Sequence, residues 1–112
     1  MNAEELPNDS DGDAIRRVVR DGADLSRPMP IDFTVAFGSL ENAQAFVRLL
    51  PKYEYKATVE TGETGDSWCC YCTKVMMLGY PEVIQVQRRL DDLATPLGGV
   101  VDGWGTFGNC PE

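Results

Sequence analysis

An α+β fold is predicted for this chain: a four-stranded antiparallel sheet with two helices on one face, and a further helix ahead of it. Three observations carry the expectation. Apolar and polar residues alternate, or cluster with β-formers, in four short segments. Apolar residues recur at helical spacing in two segments that lie between those strands. Glycine or proline separates most segments from the next, so the elements have marked ends.

Taken in order, "DGDAIRRVVRDGADL" offers Asp11 or Asp13 as an N-cap and Gly22 as a stop. Ile15, Val18 and Val19 share one side of this helix, and Arg16, Arg17 and Arg20 take the other. "PIDFTVAF" alternates strictly, with Ile31, Phe33, Val35 and Phe37 opposite Asp32, Thr34 and Ala36, as a half-buried strand should. "SLENAQAFVRLL" follows, capped by Ser39, with Leu40, Ala43, Phe46, Val47 and Leu50 on one face and Pro51 at its end. "KYEYKATVE" alternates again, and its polar residues Lys52, Glu54, Lys56 and Thr58 predict a solvated face. "TGETGD" is a turn that makes a hairpin with "SWCCYCTKVMM". Gly79 and Pro81 precede the helical "EVIQVQRRLDDLATPL", where Val83, Val86, Leu90 and Leu93 form a stripe; Gly98 and Gly99 stop it. "VVDGWGTF" is the last strand. The order is therefore helix, then β-α-β-β-α-β. Each strand-helix-strand step calls for a right-handed crossover, and the two can share one sheet. That is the ferredoxin-like, split-βαβ plan.

The 112 residues make one domain with a single core. Ten Lys and Arg against eighteen Asp and Glu give a net charge of −8. Such a balance repels phosphate backbones and favours basic partners over nucleic acid or anionic membranes. The same charge would also simply keep a small domain soluble. No apolar run is long enough to span a bilayer. The start, "MNAEELPNDSDGD", lacks the basic and apolar regions of a secretory leader, so a cytoplasmic location is expected.

Histidine is absent, which excludes Cys-His and Ser-His catalytic pairs and every histidine metal site. Asp91 and Asp92 are helix neighbours whose side chains diverge by about 100°, so they do not form an acid–base pair. Cys69, Cys70 and Cys72 formally contain a C-x-x-C, but on a strand Cys69 and Cys72 face opposite sides. Cys70 and Cys72 share a face with Trp68 and read as small buried hydrophobes. Two thiolates alone do not complete a zinc site, and Cys110 adds a third only if the C-terminus folds back. "GETG" joins two strands, so it offers no helix N-terminus to a phosphate. Tyr71 and Trp104 could stack bases on the sheet, but no Arg/Lys groove accompanies them. The expectation is no enzyme, no cofactor and no metal.

"DGADLSRP" before the first strand, "WCC" in the third and above all "VDGWGTF" in the last resemble the regulator of ribonuclease E activity B, or RraB-like, family. The resemblance runs from about Asp11 to Phe107. It implies a variant of the ferredoxin-like fold. It also implies an acidic cytoplasmic bacterial protein that binds ribonuclease E, an endonuclease of RNA decay, and inhibits it without chemistry of its own. Better-known members have longer loops and an acidic tail, whereas this sequence closes on "GNCPE". The resemblance therefore fits the fold more tightly than the partner. The expected layout is a flexible N-terminus over 1–10, one RraB-like domain over 11–107 and a short tail over 108–112.

The residues Asp102-Gly103-Trp104-Gly105 pose the sharpest question. In strict alternation Asp102, Trp104 and Thr106 share one face, and a bulge at either glycine would swap it. Trp104 then either packs under the first helix against Ile15, Val18 and Val19, or stays open beside Asp102 as an anchor for a partner. Asp21, Asp24, Asp102 and Trp104 are the candidate partner-binding residues, with the acids meeting basic segments of a ribonuclease E-like protein. The alternative expectation is an interaction domain of the same fold with another partner, as in an immunity or stress-response protein. A third, a thiol-based small-molecule or metal enzyme, would need Cys70 and Cys72.

Overall fold

A computed structural model describes residues 9–51, 54–62, 67–106 and 108. The elements run α1 (Ser10–Arg20), β1 (Pro28–Phe37), α2 (Leu40–Leu49), β2 (Lys56–Thr61), β3 (Trp68–Met77), α3 (Tyr80–Ala94), a 3-10 turn (Thr95–Leu97) and β4 (Val100–Gly105). The fold is α+β, with three helices and one four-stranded sheet in the order β2-β3-β1-β4. Every adjacent pair is antiparallel. This order is compatible with the split-βαβ plan.

The strict alternation of β1 sets the layers. Met29, Ile31, Phe33, Val35 and Phe37 are buried, while Asp32, Thr34 and Ala36 are half-buried on the opposite face. Register extends this division to the neighbours: Phe33 pairs with Cys72 and Val35 with Cys70, and those two cysteines pair in turn with Ala57 and Val59. The core lies between this face and Ile15 of α1, Ala43 and Phe46 of α2, and Val83, Val86, Leu90 and Ala94 of α3. Phe37 and Phe46 meet with ring centroids 5.2 Å apart. Full burial of such side chains, at about 1.5–3 kcal/mol each, is what fastens helices to sheet.

Local chemistry fixes the ends, and in three places it departs from the sequence expectation. Ser39 caps α2 as expected, its hydroxyl accepting from the Asn42 N–H at 3.2 Å. The cap of α1, however, is Asp9, not Asp11 or Asp13: its carboxylate accepts from the Gly12 N–H at 2.8 Å. Three acids at every second position all resemble caps, and the earliest one takes the role. The second strand starts at Lys56, not Lys52, because the Pro51 carbonyl accepts the N–H groups of both Glu54 and Tyr55 in a turn. Glu54 consequently leaves the expected solvated face; it is half-buried, 3.6 Å from Lys74 and 3.7 Å from Arg89. Lys52 lies outside the described residues. So does most of the glycine turn, though the Gly62 N–H donates to the Ser67 carbonyl at 2.8 Å and closes the hairpin. The last helix begins at Tyr80, with Gly79 as N-cap and Pro81 inside its first turn. The 3-10 turn that follows it ends at Gly98, which at φ 74° lies in the left-handed region. Gly99 lies where any Cβ would collide with the Phe37 ring and the Ala94 methyl, so a side chain there would force the core to shift.

Candidate functional site

The question posed by Trp104 is answered by a bulge. β4 pairs Trp104 with Phe33 and Val101 with Val35, so two β4 residues, Asp102 and Gly103, stand against one on β1. Gly103 carries φ 112°, a conformation that an L side chain resists. The extra residue reverses the alternation. Trp104 therefore faces the helices with Phe33, and the face that strict alternation gives it is corrected. Asp102 is exposed on the other side.

On the helix side Trp104 packs against the core cluster and its indole N–H donates to Asp11 Oδ1 at 2.8 Å. The same oxygen accepts from the Gln87 amide at 3.3 Å. Asp11 thus ties α1 to β4 and α3. Asp9, one turn-edge away, accepts from the Tyr80 hydroxyl at 2.5 Å. That hydroxyl, and then the Gly12 N–H, hold the Asp9 carboxyl below its ordinary range; Asp9 in turn pushes the Tyr80 hydroxyl up. Beyond β4, the Thr106 hydroxyl donates to the Pro30 carbonyl at 2.6 Å and accepts from the Gly108 N–H at 3.0 Å, fastening the strand end to β1.

The face away from the helices is different in kind. It displays Pro28, Pro30, Asp32, Thr34 and Ala36 of β1, and Cys69, Tyr71, Thr73, Val75 and Met77 of β3. Lys56, Thr58 and Glu60 of β2 join them, with Val100 and Asp102 at the other edge. None of these residues is buried. Val75, Met77 and Val100 are 67%, 43% and 64% exposed, high values for apolar side chains on one surface. At its centre Asp32, Thr34, Tyr71, Asp102, Trp104 and Thr106 border a shallow concavity of about 460 Å³. Asp32 accepts from the Thr73 hydroxyl across the strand pair.

The candidate residues fall into separate places. Asp102 and Trp104 border the concavity, Asp102 from the open side and Trp104 from the edge strand. Asp21 is the exposed C-cap of α1, ten residues beyond Asp11, or about 15 Å at the helical rise. Asp24 is exposed in the connection to β1, where it accepts from the Ser26 N–H at 2.9 Å and hydroxyl at 2.6 Å; these bonds hold its carboxyl below the ordinary range. Neither borders the concavity. Asp32 and Tyr71 do, and the alternation already set Asp32 on the polar side of β1; only the sheet register joins it to Tyr71 and Asp102.

Cys70 and Cys72 are fully buried with their sulfurs 3.6 Å apart, and Cys69 faces the other side. Contact with the Cys70 sulfur, then burial, push the Cys72 thiol well above its usual range. These thiols are core side chains packed against Phe33 and Val35 neighbours, without the exposure a nucleophile needs. Cys110 lies outside the described residues. Among the described residues, no group of three or more Cys, Asp or Glu is placed to hold a metal ion. Nor is any helix among them long and apolar enough to cross a membrane.

The family model described as regulator of ribonuclease activity B matches residues 8–106, nearly the whole chain. No curated protein matches it.

Proposed function

This chain belongs to the regulator of ribonuclease activity B family, and from that premise we propose that it is a non-enzymatic, acidic protein-binding module that inhibits a ribonuclease E-type endonuclease by direct contact. The family match over residues 8–106 is the observation that carries the reading. The net charge of −8 supports a partner with a basic surface. Inhibition is steric, or arises because the module and RNA compete for the same cationic segment. Asp21, Asp24 and Asp102 contribute to the contact, and Trp104 contributes the edge of its ring that the core leaves uncovered. We assign the domain to residues 11–107, flanked by 1–10 and 108–112, and to a ferredoxin-like fold, with which the strand order agrees. We place it in the cytoplasm of a bacterium, a reducing compartment in which its cysteines stay thiols.

Affinity capture tests this. Immobilised protein should retain ribonuclease E of the same cell at low salt and release much of it at moderate salt, as exposed charge contacts require. No retention in either condition would overturn the assignment.

A further inference from the structure

The open sheet face combines three features that point to one kind of occupant. Its centre is a concavity bordered by two carboxylates, Asp32 and Asp102, and an aromatic ring, Tyr71. Among the described residues no cation lies within salt-bridge distance of either carboxylate. Its flank is apolar: Val75 pairs with Pro30 and Met77 with Pro28, and both β3 side chains are strongly exposed. A solvated antiparallel face usually carries polar residues, so apolar side chains there mark a surface that another molecule covers.

We propose that this face docks an extended segment of a protein partner that sets an arginine guanidinium into the Asp32–Tyr71–Asp102 concavity and lays apolar side chains against Val75 and Met77. The proposal rests on the ribonuclease reading for the partner's identity, and adds the surface and the recognised side chain. Arginine fits better than lysine because a planar guanidinium can bond two carboxylates and stack on a ring at once. A second copy of this chain fits worse, since two such faces in contact would oppose their carboxylates. RNA fits worse for the same reason, phosphate against carboxylate.

The probe is a blocked Leu-Arg-Leu-Arg-Leu peptide, with Leu-Lys-Leu-Lys-Leu as its comparison, titrated into the 15N-labelled full chain. The expected result is amide shifts confined to Asp32, Thr34, Tyr71, Asp102 and their strand neighbours, with the arginine peptide binding at least threefold tighter. Asp32→Asn with Asp102→Asn should weaken it at least tenfold; the asparagine at position 32 can still accept from Thr73, so the fold is kept. Glu41→Gln with Asp92→Asn, exposed acids on α2 and α3 away from the sheet face, should change it less than twofold. Shifts mapping to the helices, equal binding of both peptides, or an unaltered affinity in the Asp32/Asp102 variant would overturn the proposal. Retention of ribonuclease E by that variant at wild-type strength would overturn it too, while leaving the family reading intact. Peptide binding at this face with no retention of ribonuclease E would count against that partner alone.

Discussion

Breaking the bond between Trp104 and Asp11 should cost the whole domain, because it joins the last strand to the first helix across 93 residues. Hydrogen bonds to a charged group contribute about 1.5–3 kcal/mol when well shielded. Both partners here are half-buried, so a value just below that range, about 1–1.5 kcal/mol, is expected. Trp104→Phe removes the N–H and some ring area, for a total of about 2 kcal/mol. Asp11→Ala removes the acceptor, the Gln87 contact and a favourable charge in the first turn of α1, the last worth about 0.3–1 kcal/mol. Urea unfolding of the two single variants and the double variant separates these effects. The double variant should lose about 1 kcal/mol less than the sum of the singles. A coupling no larger than the about 0.3–0.5 kcal/mol seen between unconnected sites would refute the tie between α1 and β4.

Gly103→Ala places a side chain at φ 112°; it should destabilise the fold by about 1 kcal/mol or more and move the Trp104 emission to longer wavelength as the bulge relaxes. Gly99→Ala drives a methyl into the Phe37 ring and should cost about 1–3 kcal/mol, read from the urea midpoint. Ser39→Ala removes the α2 cap for about 1 kcal/mol. In the native protein Cys70 and Cys72 should resist iodoacetamide at pH 8 and react only after denaturation, as peptide mass mapping can show. Asp9 and Asp24 have lowered folded-state pKa values, so the unfolded chain binds the more protons as pH falls. Their stabilisation is present above the ordinary carboxylate range and lost as pH drops through the folded values. The Gly12 and Ser26 amide shifts should titrate there.

Much of this architecture was legible because the residues offered few alternatives. The alternation over Ile31–Phe37 admits only one buried set, and Ser39 stands alone before its helix. Asp9, Asp11 and Asp13 are chemically equal as caps, so sequence could not choose among them. The delayed start of β2 depends on one carbonyl, that of Pro51, accepting two N–H groups. The bulge is permitted by either flanking glycine, and only pairing with β1 selects Gly103. The site was less legible than the fold. Asp32, Tyr71 and Asp102 come from three strands, and nothing in their spacing shows that they border one concavity.

In the proposed function a negatively charged folded surface acts on a ribonuclease without making or breaking bonds. Cleavage of a labelled RNA by purified ribonuclease E, with increasing amounts of this protein, tests it most directly. Dose-dependent inhibition that weakens as salt rises is expected, with the inhibitor recovered chemically unchanged. An undiminished cleavage rate at low salt, under excess protein, would contradict it.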